Sequence, residues 1–384
     1  MARTLTARCR ISSSYWRALA GLSVLAYACA LVYAALLADS LPLLVALKGG
    51  SVMDIAHSRS QFLAGLESYQ SLLRYAVFIL GRAIMPLVLV AAFMMRARFR
   101  HALLALLIVL SLLAMEKAAP IFMLLPLLCH FAFGKCRKTL AGVLLLMIAS
   151  VMLVSFLAMG ANSTPSGAGS VKLATHEEAA VMMIPPGMPI DRAMGHHARS
   201  LLPYYLHEEY RQDAYLFDPA TVSGKLTLLL NRIIWVPYIT AYDWLAFQRL
   251  IFEGHTTMGR SISLVHLLHG EPKMPLEQMV YVFEYGPSPG GEGASNTVFF
   301  VDAKLAFGWP GVVVYCLIFT LCAACIFTSG SRVLMVSSIA CFLVAAVSSL
   351  TATLLSGGLF IYVVLSLLLG NAISREAAGK ESGK

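Results

Sequence analysis

Charge is scarce in this chain: 13% of its 384 residues are Asp, Glu, Lys or Arg, against 59% hydrophobic, and the mean hydropathy is +0.76. A soluble domain cannot hide that much apolar surface, so the soluble globular classes are excluded. Two soluble-enzyme signatures are missing as well, the phosphate-cradling G-x-x-x-x-G-K-[ST] and the zinc-binding H-E-x-x-H. Cysteine is absent between 161 and 309, the largest polar stretch, so no disulfide framework holds that region together. Cys322 and Cys325 form a C-x-x-C inside an apolar run, where small buried thiols are expected rather than a redox pair or a metal site. No repeat of about 20 to 50 residues is visible, which removes solenoids. Matched interrupted helices in the two halves are also lacking, which argues against an inverted-repeat transporter.

What the chain has is a series of apolar runs of the length a bilayer asks for, roughly 20 residues per helical span. They do not alternate polar and apolar as barrel strands do. The runs lie at 18–38, 72–95, 139–160, 310–328, 333–350 and 353–372, with two shorter ones at 102–114 and 121–133. The expectation is an all-α polytopic membrane protein of about eight spans, divided into a first bundle (1–160), a large extracytoplasmic loop (161–309) and a second bundle with a tail (310–384). Within the loop, 226–247 reads as an amphipathic helix lying on or dipping into the membrane; if it crosses, the count is nine. Arg232 and Asp243 fall on one face of that helix, and Pro237 between them is expected to kink or break it.

The net charge of +9 is concentrated beside the apolar runs rather than in a basic aromatic stripe, so nucleic acid is not the partner. Arg3, Arg8, Arg10 and Arg17 precede the first run, and "RARFRH" and "GKCRK" follow later ones. By the positive-inside rule these junctions face the cytoplasm, as do both termini. The loop carries 14 acidic and 10 basic residues and the remainder 6 and 19, which places the loop outside. A cleaved signal peptide is the weaker reading of the first run, which is longer than a signal core. The hairpin at 102–133 has arms too short to cross comfortably, so Glu116 and Lys117 at its tip are expected below the outer surface, where charge implies a cavity, partner or substrate path.

Inside the loop, arginines stand beside aromatics and acids: Arg199 and Arg211 around "LLPYYLHEEYR", Arg232 in "NRIIWVPY", and Arg260 closing "EGHTTMGR". Guanidinium groups bind diphosphates bidentately, and Trp and Tyr rings stack on sugars or sit at the interface. The adjacent histidines at 196 and 197 do not share a helix face and lack nearby Cys, so no metal site is expected there.

The stretch "SNTVFFVDAKLAFGWPGVVVY", 295 to 315, resembles bacterial oligosaccharide repeat-unit polymerases of the Wzy, or O-antigen polymerase, type. "NRIIWVPYITAYDWLAF" ahead of a G-H-T loop, and the Glu116-Lys117 turn between two short spans, are similar to that family too. The resemblance implies glycosyl transfer on the periplasmic face of the bacterial inner membrane, from a chain on undecaprenyl diphosphate to a hydroxyl of another lipid-linked repeat unit, without cofactor. Membrane lipid, a chain-length regulator and a flippase of the same pathway are the implied partners. Arg232, Arg260 and Lys117 are the expected cations for the diphosphate, with Arg199 and Arg211 as further substrate contacts. Asp243, His255 or Asp302 is the expected base, and Asn296 either starts a helix or binds a sugar hydroxyl. The alternatives are an O-antigen ligase or another lipid-linked sugar transferase, and a non-catalytic transporter or flippase of lipid-linked oligosaccharide.

Overall fold

The computed structural model describes residues 13–38, 40–50, 52–64, 71–116, 118–134, 136–158, 222–262, 265, 273–285 and 294–368. No strand occurs among the described residues. The helices are α1 (Ser13–Leu37), α2 (Pro42–Leu47), α3 (Val52–Ala64), α4 (Ser71–Ile79), a π-helical turn (Leu80–Ile84), α5 (Met85–Met94), α6 (Arg100–Leu113), α7 (Ala118–Phe133) and α8 (Arg137–Ala158). They continue as α9 (Val222–Ile251), α10 (Leu276–Tyr285), α11 (Phe299–Thr328), α12 (Arg332–Val344), α13 (Leu350–Leu354) and α14 (Leu359–Leu368).

Among the described residues, four helices are long and apolar enough to cross a membrane: Ala18–Leu37, Leu73–Met94, Arg137–Leu157 and Phe299–Thr328. Four shorter apolar helices, α6, α7, α12 and α14, accompany them. Their outer faces are apolar: Leu22 and Leu36 on α1, Leu145 on α8, and Leu317 and Leu321 on α11 are each more than 60% exposed. Water would penalise such a surface, whereas lipid chains do not. The chain is therefore an all-α protein whose helices fit a membrane-embedded state.

The elements divide into two compact units, one of Met1–Thr164, Phe319–Val344 and Ala352–Lys384, the other of Pro165–Ile318 and Ala345–Thr351. In the first, α5 is buried on every side, from Met85 to Phe93, as befits a helix that is apolar all round. Met85, Leu89 and Phe93 pack with Leu31 of α1, Leu107 of α6 and Leu124 of α7. On its other face Leu87, Val90 and Ala91 pack with Leu334 of α12 and Leu359 and Tyr362 of α14.

The π-turn ahead of α5 has a local cause. Pro86 has no N–H for the carbonyl of Arg82, which an α-helix would pair with residue 86. The helix instead widens, with the Met85 N–H bonding Leu80 O, and leaves carbonyls to be satisfied from elsewhere. Arg82 O accepts from Cys341 Sγ at 3.9 Å, and Ala83 O accepts from the Tyr362 hydroxyl at 2.7 Å. Gly358 brings α14 this close: its φ is +80°, and a Cβ there would meet Ala83 Cβ at 2.5 Å.

In the second unit, Trp244, Phe247 and Ile251 of α9, Met279, Val280 and Phe283 of α10, and Val301 and Leu305 of α11 form one core. Of the kink or break expected at Pro237, the break does not occur, because this core holds α9 as one helix from Val222 to Ile251. A single missing hydrogen bond is outweighed by the packing of the C-terminal half of the helix. A departure from expectation concerns Asn296, which starts no helix: α11 begins at Phe299, with the Asp302 N–H on Val298 O at 3.3 Å. The helical run is interrupted at Gly308 (φ 69°, ψ −157°), one residue before the Trp-Pro-Gly that marks the interruption in the sequence.

Tyr362→Phe removes the donor to Ala83 O in a buried site and is expected to destabilise the protein by roughly 1 to 3 kcal/mol. Thermal unfolding of the detergent-solubilised variant checks it; an unchanged midpoint would mean that the π-turn carbonyl needs no partner.

Candidate functional site

Three helices of the second unit each contribute carboxylates to one region: Asp243 from α9, Glu277 and Glu284 from α10, and Asp302 from the first turn of α11. Glu277 and Glu284 are seven residues apart, two helical turns, and therefore share a face of α10. The segment ahead of α11 is tied across them. Ser295 N–H donates to Glu277 O at 2.9 Å, and Ser295 Oγ donates to Glu284 Oε1 at 2.7 Å while accepting from Trp244 Nε1 at 3.3 Å. The indole, the hydroxyl and the carboxylate thus form a chain of hydrogen bonds linking α9 to α10.

Burial raises the proton affinity of Glu284, to a pKa of about 7, with the nearby Asp243 charge adding to the rise and the Ser295 hydrogen bond opposing it. Burial also raises that of Asp243. A carboxyl poised near neutrality can both take and give a proton at working pH. Asp302 is 5% exposed. Its Oδ2, Glu284 Oε2, and the hydroxyls of Thr257 and Thr297 are buried and find no hydrogen-bond partner among the described residues. So many orphaned polar atoms in one small unit are unusual for a purely structural core.

The loop bearing His255 and Arg260 is docked one turn from Asp302. Thr257 N–H donates to Leu305 O at 2.8 Å and Gly259 N–H to Ala306 O at 3.2 Å, capping carbonyls that the interruption at Gly308 leaves open. The loop is closed by Gln248 Nε2 donating to His255 O at 3.3 Å and by Met274 N–H donating to Arg260 O at 3.1 Å. His255 is exposed and Arg260 half-buried. The loop therefore fixes Arg260 to the same helix that carries Asp302. Lys304 turns to another partner, its Nζ lying 5.1 Å from the centre of the Trp309 ring.

Of the residues expected from sequence, Asp243, His255, Arg260 and Asp302 fall in this unit. Asn296 is an exposed residue of the tied segment. Arg232 lies on α9, eleven residues before Asp243 and about 16 Å along the axis at 1.5 Å per residue. Lys117, Arg199 and Arg211 lie outside the described residues. Sequence reasoning missed Glu284, Ser295 and Trp244. The signal for the first was present in "LEQMVYVFEY", where two glutamates two turns apart interrupt an apolar face.

It missed Arg82 as well, an arginine midway along an apolar run. In the first unit Arg82 Nη2 meets Glu116 Oε2 at 3.3 Å, so Glu116 at the hairpin tip is paired within the first bundle.

No group of three or more His, Cys, Asp or Glu among the described residues is arranged to hold a metal ion. Compared with protein-family models, curated proteins and solved structures, the chain matches none.

Glu284 keeps its proton in the folded protein up to about pH 7, against an ordinary value of 4.5. The folded state therefore binds more protons than the unfolded chain between those values. Stability is expected to fall as pH rises through that window and to level off above it. Glu284→Gln should flatten this slope and be the more stable form at pH 8, by roughly 1 to 3 kcal/mol. Unfolding of both proteins from pH 4 to 9 checks it, and parallel profiles would remove Glu284 as the cause.

Proposed function

We propose that this protein is a membrane glycosyltransferase that extends a polyprenyl-diphosphate-linked oligosaccharide on the periplasmic face of a bacterial inner membrane, its two termini cytoplasmic. The observation that carries the reading is the meeting of four acidic residues and the Arg260 loop at the start of α11, which leads into an apolar helix long enough to span. A sugar-transfer site at a membrane needs this combination of proton acceptor, cation and access to lipid.

In the proposed reaction a carboxylate, Asp302 or Glu284, takes the proton of the acceptor hydroxyl as its oxygen bonds to the anomeric carbon. The bond from that carbon to the diphosphate oxygen breaks in the same step, and polyprenyl diphosphate leaves with its electron pair. The sugar passes through an oxocarbenium-like state. Arg260, with Arg232 of the same unit, stabilises the charge growing on the diphosphate. Asp243 supports proton uptake through its charge on Glu284. In this reading His255, exposed on the docked loop, contacts sugar, and Asn296 binds a hydroxyl. The reaction asks for no cofactor. Membrane lipid, a flippase and a chain-length regulator are the partners it implies.

A second reading is favoured by one observation, the Arg82–Glu116 pair near mid-length of a span. A transporter of lipid-linked oligosaccharide concentrates charge at that depth. Movement of labelled lipid across liposomes, with glycan length unchanged, would support it.

Asp302→Asn and Arg260→Ala, purified in lipid with undecaprenyl-diphosphate repeat units and no ATP, are expected to lose chain extension by about 100-fold or more. Sizing the products by gel checks it; full activity in both variants would overturn the site.

A further inference from the structure

Arg82 lies nine residues from one end of the span Leu73–Met94 and twelve from the other. At 1.5 Å per residue that is roughly 14 and 18 Å, near the middle of a bilayer. A guanidinium is costly there unless its five N–H groups are satisfied. Among the described residues one acceptor reaches them, Glu116 Oε2, through a single contact at 3.3 Å. Phe78 and Phe122 take up the cation's other contacts, their ring centres 4.4 and 5.3 Å from Cζ.

Arg82 and Glu116 are still 22% and 28% exposed, and they line a shallow, open cleft. The rest of that cleft is largely apolar, with Leu31, Val77, Leu110 and Met123 in its wall and the Tyr27 ring beside Gly81. The residue that supplies the cation sits on the π-turn, a distortion that recurs at functional sites.

We propose that this cleft binds the phosphate group of a phosphorylated amphiphile. Arg82 is the anion ligand, and Glu116 is the internal counter-ion that the phosphate displaces. A guanidinium fork matches phosphate oxygens two at a time, and its one bond to Glu116 leaves the remaining donors for them. The apolar wall suits a hydrocarbon chain and gives nothing to a free hydrated anion. Glu116 neutralises Arg82 when the cleft is empty, which keeps the unoccupied protein from holding a lone buried charge. The proposal is independent of the transferase reading, since it concerns a different unit of the chain.

The two charges predict opposite effects on binding. Native mass spectrometry of the full-length protein in detergent, titrated with dodecyl phosphate, dodecanol and inorganic phosphate, reads it. Dodecyl phosphate should bind and dodecanol should not. Glu116→Gln, which removes the competing acceptor, should bind dodecyl phosphate about tenfold more tightly, and Arg82→Gln should lose about tenfold or more. Arg82→Lys keeps the charge without the fork and should fall between wild type and Arg82→Gln. If Arg82→Gln does not fold, the Glu116→Gln and Arg82→Lys measurements decide. Affinity that is equal in wild type and Glu116→Gln would mean that the pair is structural and would overturn the proposal. Displacement of dodecyl phosphate by equimolar inorganic phosphate would assign the cleft to the free anion and overturn the amphiphile.

Discussion

The hydrogen bond from Tyr362 to Ala83 O is the contact on which the first unit depends. In an apolar surrounding a backbone carbonyl has no water to turn to, so a helix can widen into a π-turn only where another helix supplies a donor. Tyr362 supplies it at 2.7 Å, and Cys341 attends the neighbouring carbonyl of Arg82. The same turn carries Arg82 as a side chain. Pro86 opens the turn, α12 and α14 satisfy it, and α7 and the hairpin tip receive the cation that it presents. Removing the Tyr362 hydroxyl, or either member of the Arg82–Glu116 pair, leaves a polar group without its partner.

The second unit solves a related problem at a helix end. The interruption at Gly308 leaves the carbonyls of Leu305 and Ala306 without intrahelical donors, and the amides of Thr257 and Gly259 meet them. A loop recruited to cap a helix becomes as fixed as the helix itself. Arg260 gains a defined place near Asp302 for this reason, although 42 positions separate the two in the chain. Ser295 does the equivalent on the opposite side, where one hydroxyl joins an indole to a carboxylate.

Element type was legible in the sequence because a run of apolar residues as long as a bilayer is thick has few other uses. Position 308 was nearly legible too, since Trp-Pro-Gly announces an interruption. Other features were not, and each for a stated cause. Pro237 is a local helix breaker whose effect tertiary packing overrides, and no local rule contains that packing. Asn296 has the composition of a cap, but Ser295, bonded to Glu277 and Glu284, holds the segment extended past it. Asp302 could be picked out as a charge near an apolar run. Glu284 left a signal of the same kind in "LEQMVYVFEY", but its raised proton affinity did not, because that comes from burial and from Asp243, 41 positions away.

The place of Glu116 shows how far chain length alone can carry a structural expectation. Arg82 stands twelve residues, about 18 Å, above Met94 at the end of its span. The helix that follows, α6, has 14 residues, about 20 Å at the same rise. A helix of that length starting just after the basic junction that ends the span must stop close to the level of Arg82. Its tip therefore delivers Glu116 beside the cation without any long-range code in the sequence. An arm of ordinary spanning length would carry the carboxylate past Arg82 and leave the guanidinium facing lipid. The shortness of the hairpin is thus a requirement of the charge on α4–α5.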